Sequence, residues 1–385
     1  MKKKTIGIGL LGTGFMCKAH SNAYKTIPYM FNNAVHVPEL VEIGGSSNEK
    51  AQAAAERYGF ASYSEGWEHM IKNPDINTID ICTPDKYHVQ PALDAILAGK
   101  NVICEKPLAL SGAEAAKLVS AAEKAGVLTM TGFNYRFIPA VRLAYELLRQ
   151  GILGEIYHMN VRYFQAGGAD PDQLFEDTWY ARPPKCGVLQ GIGTHAIDQA
   201  RFLAGEVKSL SALATTHVKT RKTKEGGSAK VDIEDSARAI VEFESGATGA
   251  IECSCMAWGR RNQLAWEING SKGSVSFDLE EPCYLNVFLK EASDKYVSGF
   301  TRVNVTLPDH PFMDIWWPAG HNTGWEHAHI NMIAHFLDCV AEGKPVAPLG
   351  ATFTDGFKAA VIVDSIRESS RTGQRIDISS AYKRF

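Results

Sequence analysis

The chain has 385 residues, long enough for two cores rather than one. Its residues are 45% hydrophobic and 22% charged, with a formal net charge of −3. That balance describes a globular protein with no electrostatic footprint for nucleic acid. No apolar run reaches the ~18 residues that span a bilayer, so no membrane partner is expected.

The opening, "MKKKTIGIGLLGTGFMC", starts like a secretory leader, with three lysines before an apolar stretch. Glycines interrupt that stretch and no small-x-small cleavage site follows, so it reads as a first strand and turn instead. The eight cysteines are scattered. Only Cys253 and Cys255 lie close, on one face of a strand, and no matching pair completes a zinc site. They read as reduced core thiols, which places the chain in the cytoplasm and predicts no metal.

Strand-like runs at Thr5–Leu11, Glu39–Ile43, Asn77–Cys82, Asn101–Cys104 and Val127–Thr131 alternate with helical stretches. "HVQPALDAILAGK" stops at Gly99, and "SGAEAAKLVSAAEKAG" opens with Ser111 and Glu114 at capping-box spacing. This alternation predicts a doubly wound parallel sheet over residues 1–131. "IGLLGTGFMCKAH" sits at its first strand-to-helix junction. Gly12, Thr13, Gly14, Phe15 and Met16 form a turn suited to a dinucleotide pyrophosphate at a helix N-terminus, with Cys17 in place of a third glycine. The second strand ends in Gly44, Gly45, Ser46 and Ser47, where an acid would grip the adenosine ribose. Small hydroxyls accept either a ribose or its 2′-phosphate, so the cofactor is NAD or NADP.

Beyond residue 132 the pattern turns to α+β. Segments such as "EIYHMNVRYFQ", "SARAIVEFESGATGAIECSCMAW" and "NQLAWEINGSKGSVSFD" read as strands joined by tight turns, predicting one large, mostly antiparallel open sheet over residues 132–385. Helices are expected near Pro139–Arg149 and Gly191–Leu203, with two more from Glu326 and Asp355. "KTRKTKEGGSAK" reads as a flexible exposed loop.

The stretch "CTPDKYHVQPALDAILAGKNVICEKPLAL" is more specific. Thr83-Pro84, His88, Ala98-Gly99-Lys100 and Glu105-Lys106-Pro107 match a pattern that resembles the Gfo/Idh/MocA family, which includes glucose–fructose oxidoreductase and inositol dehydrogenase. A second signature runs from Gly187 to Leu203 through Gly193, His195, Asp198 and Arg201. Within the family, "GRRNQLAWEINGSKGSVSF" and "WWPAGHNTGWEH" look like the levoglucosan-type sugar and polyol dehydrogenases.

The resemblance implies a Rossmann domain, followed by a domain for substrate binding and oligomerisation. It also implies an NAD(P)-dependent oxidoreductase acting on the CH–OH groups of a sugar, anhydrosugar or polyol. Lys106 is then the ammonium that stabilises the reacting oxygen, aimed by a cis Pro107, and Glu105 lies against the nicotinamide ribose or orients the loop. His195 is the general base, because an ordinary imidazole titrates near working pH. Asp198 orients the site or pairs with Arg201.

Thr83, Pro84 and His88 join the cofactor contacts. Asn134, Tyr135, Arg136, Trp179, Thr194, His321 and Trp325 are candidates for the substrate. Gly191 stands where many relatives carry an acid, and this departure counts against an inositol substrate. Three other functions fit the same residues: NAD-assisted glycoside hydrolysis, hydride exchange between two sugars on a retained cofactor, and a non-catalytic dinucleotide sensor. The assembly expected is a homodimer or homotetramer.

Overall fold

The computed structural model describes residues 3–32, 34–178, 181 and 186–384. Contacts divide the chain into two units. One comprises Met1–Ile138, Asp314–Trp317 and Thr323–Phe357; the other comprises Pro139–Met313, Pro318–Asn322 and Lys358–Phe385.

In the first unit, strands and helices alternate as β1 (Lys4–Leu11), α1 (Phe15–Met30), β2 (His36–Gly45), α2 (Asn48–Tyr58), β3 (Ser62–Glu65), α3 (Glu68–Lys72), β4 (Thr78–Ile81), α4 (Val89–Leu97), β5 (Asn101–Cys104), α5 (Gly112–Ala125) and β6 (Thr129–Thr131). The six strands pair in parallel in the order β3-β2-β1-β4-β5-β6. Strand order reverses between β1 and β4, which is where such sheets hold a nucleotide. Ile6, Ile8, Leu10, Ile79, Ile81, Val102 and Ile103 are all buried, as helices on both faces require.

Ser111 caps α5 by accepting from the Glu114 N–H at 3.3 Å, and its hydroxyl donates to the Glu114 carboxylate at 3.2 Å. Gly99 ends the α4 turn at φ +74°. The sequence reading did not include β3. Its residues, "SYSE", are half-exposed on a sheet edge and carry no apolar pattern.

The second unit begins with α6 (Pro139–Arg149), β7 (Ile156–Phe164), α7 (Thr194–Ala204), β8 (Val207–Thr215), β9 (Thr220–Lys222), β10 (Ser228–Lys230), β11 (Ser236–Phe243) and β12 (Thr248–Ser254). It continues through β13 (Gln263–Gly270), β14 (Gly273–Asp278), β15 (Tyr284–Leu289) and β16 (Thr301–Asn304). The chain then supplies α8 (Trp325–Glu342) to the first unit, α9 (Phe353–Thr372) to both, and finally β17 (Ile376–Asp377) and α10 (Ile378–Tyr382). Nine strands form one sheet in the order β16-β15-β14-β13-β7-β12-β11-β8-β17, antiparallel except at β7–β12.

α8 joins the first unit because it packs on α1 and because Asn331 on it donates to the Phe137 carbonyl at 3.1 Å. Contacts thus carry residues 132–138 and two later segments past the sequence boundary at 131/132.

The stretch expected as a flexible loop, 219–230, is instead a hairpin of β9 and β10. Arg221 explains the difference. It is 2% exposed, and its guanidinium donates to the carbonyls of Gly168, Asp170 and Gln173 at 2.5–3.2 Å. Arg221→Met removes those donors and leaves the buried Gly168 carbonyl without this one. It is expected to destabilise the chain by about 2–3 kcal/mol, read from the urea midpoint.

All eight cysteines are buried and none is in a disulfide, as core thiols should be.

Candidate active site

The turn after β1 is shaped by what its glycines avoid. Gly12 has φ +122°, and a Cβ there would lie 2.6 Å from the Cys82 carbonyl oxygen. Gly14 is the N-cap of α1, and a Cβ on it would meet nothing within 4 Å. No side chain caps that helix, and no acid lies in its first turn. The partial positive charge of its N-terminus is therefore not offset by a capping side chain or a first-turn acid, a fit for a pyrophosphate. Cys17 is fully buried and its thiol is pushed up to about 11 by that burial, so it packs as a neutral small residue. Gly12→Ala forces a strained φ and a clash at the turn. It is expected to cost about 1–3 kcal/mol in stability and to weaken NADH binding about tenfold or more, measured by melting and by fluorescence titration.

At the β2 tip, Ser47 accepts from the Lys50 N–H at 3.4 Å as the N-cap of α2, and Ser46 accepts from the Lys50 ammonium at 3.3 Å. Thr83-Pro84 leads into a short turn ahead of α4. His88 is fully buried there. Its ring nitrogens lie 2.8 Å from the Pro107 carbonyl and 2.9 Å from the Thr83 carbonyl, so it ties the Thr-Pro turn to the Glu-Lys-Pro segment. Lys106, half-buried, stands two residues past β5, and the Lys106–Pro107 peptide bond is cis.

Beneath that segment lies a network that the motifs do not announce. His20 on α1 is fully buried. Its Nδ1 is 2.8 Å from Asp80 Oδ2 on β4, and its Nε2 is 3.1 Å from Glu105 Oε1. Tyr24 donates to Asp80 at 2.8 Å, and the Lys106 N–H donates to Glu105 Oε2 at 3.2 Å. A carboxylate oxygen thus lies within hydrogen-bond distance of each nitrogen of His20. The available sequence signal was Asp80, an acid inside the fully buried strand "TIDI".

Of the expected substrate contacts in this unit, Asn134 is buried and its Nδ2 has no hydrogen-bond partner among the described residues. Tyr135 is buried beside it. Arg136 is buried and forms an ion pair with Asp355 at 3.3 Å. Trp325 stacks on Phe15 of the glycine turn, ring centroids 5.4 Å apart, and meets His329 edge-on at 4.3 Å. His329 is 2% exposed and neither ring nitrogen has a hydrogen-bond partner; burial holds its pKa well below the usual imidazole range. His327 accepts from the Gly324 N–H at 3.0 Å, a helix-capping role. Trp316 donates to Asn331 at 3.1 Å and packs in the core.

In the second unit, a π-helical turn at Leu189–Gly193 runs into α7. Such turns occur often at functional sites. Thr194 donates to the Gln190 carbonyl at 3.1 Å, His195 is 6% exposed with the Tyr163 ring 6.0 Å away, and Asp198 is buried one turn on. Arg201 is held by Glu206 at 2.7 Å. Gln190 accepts from Arg367, which also pairs with Glu234. His321 is exposed, its Nδ1 2.8 Å from the Pro318 carbonyl. Trp179 lies outside the described residues.

Residues 6–133 match the family model described as an oxidoreductase family with an NAD-binding Rossmann fold, and residues 141–276 match the GFO/IDH/MocA C-terminal domain. Levoglucosan dehydrogenase from Pseudarthrobacter phenanthrenivorans is 34% identical over 97% of this chain and 98% of its own. The chain belongs to the Gfo/Idh/MocA family.

A D-apiose dehydrogenase from Paraburkholderia graminis is similar at 25% identity over 96% of this chain and 89% of its own. A solved structure of levoglucosan dehydrogenase in complex with NADH and levoglucosan is similar over 97% of this chain and 99% of that one, with a TM-score of 0.91 and 35% identity. As a Gfo/Idh/MocA oxidoreductase, the chain has an NAD-binding first unit. Its open, uncapped α1 terminus and the unsatisfied amide of Asn134 fit such a cofactor.

Proposed function

We propose that the chain oxidises a secondary hydroxyl of an anhydrosugar, sugar or polyol, levoglucosan being the first to test, with NAD as acceptor. The observation that carries this reading is the place of Lys106, just past the carboxyl end of β5 and joined through Pro107 and His88 to the Thr-Pro turn. Open α/β sheets take their ligands at that edge. A bound nicotinamide supplies the acceptor for the carbon-bound hydrogen.

Lys106 holds its ammonium toward the substrate oxygen and offsets the negative charge that grows as the C–H bond weakens. His195 takes the hydroxyl proton, and Asp198 orients it. Gly12–Met16 bind the pyrophosphate at the α1 N–H groups, and Ser46 and Ser47 meet the adenosine ribose. Asn134 and Thr194 offer hydrogen bonds to the bound molecules, and Trp325 offers an aromatic face.

The same reading has the chain working as a homodimer or homotetramer in the cytoplasm. Leu213 and Ile240, 71% and 73% exposed on neighbouring strands β8 and β11, support self-association, and eight cysteines without a disulfide support a reducing compartment. The test is a panel of levoglucosan, hexoses and polyols with NAD and NADP side by side, following reduced nicotinamide. Growth of that absorbance with an anhydrosugar or sugar is expected. Carbohydrate turnover with no net cofactor reduction, or no turnover on any of them, overturns the reading.

A further inference from the structure

The chemistry proposed above leaves the buried network behind Lys106 without a task. Taking Asp80 and Glu105 together out of water is unfavourable unless a cation lies with them. Among the described residues, the ring in hydrogen-bond contact with both is His20, with Asp80 on Nδ1 and Glu105 on Nε2. A neutral imidazole donates from one nitrogen; donating to both carboxylates takes the doubly protonated ring. Glu105 is further confined by Gly132, where a Cβ would lie 2.5 Å from Glu105 Oε1. Its second oxygen receives the Lys106 main-chain N–H.

We propose that His20 is a positioning residue: a buried imidazolium that bridges Asp80 and Glu105 and, through the Glu105 carboxylate, holds the main chain from which Lys106 reaches its substrate. This rests on the reading of Lys106 given above.

Every packed element contributes a group to this balance. Asp80 and Cys82 face His20 from the end of β4, Glu105 from the end of β5 and His329 from α8, while Tyr24 and Cys17 share its helix. Burial pushes the His20 pKa down, but Asp80 and Cys82 push it up, and the balance leaves it well above the usual imidazole range. His329, with its ring centroid 5.5 Å from that of His20, is held neutral by burial and by the charge of His20. One ring of the pair is charged and the other is not.

The first experiment needs no variant. In the full-length wild-type protein labelled with ¹⁵N-histidine, one imidazole should show the imidazolium pattern on both nitrogens without titrating from pH 6.5 to 8.5. That signal should disappear in His20→Gln. A neutral His20 in that range overturns the proposal.

Kinetics then separate positioning from general support of the fold. His20→Gln is expected to lower kcat on the order of 10²-fold, as displacement of a reacting group does, with the KM for cofactor little changed. Combined with Lys106→Met, it should add almost nothing to the loss from Lys106→Met alone, because it acts through that lysine. Losses that multiply overturn the positioning role. Failure of the lysine assignment would show separately, as a Lys106→Met single variant that keeps its rate.

Stability gives a check independent of turnover. A proton held more tightly folded than unfolded contributes fully below about pH 6.5, and its contribution is lost as pH rises through the folded pKa. The gap in melting temperature between wild type and His20→Gln should therefore narrow above that pH, and a gap that widens counts against a buried imidazolium.

Discussion

Lys106→Met is expected to lower kcat on the best carbohydrate by about 10²–10³-fold, the loss seen when one preorganised donor to a developing oxyanion is removed. Methionine keeps an unbranched apolar stem in this half-buried position, so packing changes little while the charge is deleted. Since the ammonium acts on charge that builds only as the bond breaks, kcat and kcat/KM should fall together. The glycine turn lies on β1 and α1, away from the substitution in the sheet order, so NADH affinity by fluorescence titration should stay within about threefold. Lys106→Arg keeps a charge but replaces a compact ammonium by a broad planar fork, and only partial recovery is expected. A Lys106→Met enzyme working within tenfold of wild type would refute the assignment.

His195→Asn is expected to lower kcat by about 10²–10⁴-fold, the range contributed by a positioned general base. Asparagine retains polarity at a site only 6% exposed, so the folded state should persist and melting should confirm it. What remains of the rate should climb with pH, because solvent base takes over the proton that the imidazole no longer accepts. A variant with an unchanged pH–rate profile would show that His195 is not the base. Gly191 strengthens the expectation. Position 191 brings no side chain that could take the proton instead, and neighbouring Gln190 is engaged by Arg367.

The parts of the molecule legible in the sequence are those where one-dimensional pattern and three-dimensional demand coincide. β1, β4 and β5 are buried on both faces, so each reads as an apolar run, and the turn at Gly12 needs a residue that tolerates positive φ. The Glu-Lys-Pro segment was readable because its motif is long.

What escaped reading was set by distant partners. Arg136 is paired with Asp355, brought to it across more than 200 residues of chain, and no local spacing announces that partner. A lysine-rich stretch reads as a loop until Arg221 finds three carbonyls. The pairing of His20 with Asp80 and Glu105 joins three elements that no local spacing connects.

The return of α8 to the first unit has a consequence for how the protein is made. Synthesis delivers β1 to β6 early, but α8, which packs on α1, emerges only after the entire nine-stranded sheet except β17. Until then the Gly-turn helix lacks a covering layer, and Trp325 cannot stack on Phe15. The emerging nucleotide-binding half therefore stays incomplete until the segment Thr323–Phe357 has been made. A fragment ending near residue 138 would carry the complete parallel sheet and still lack the helix that closes it.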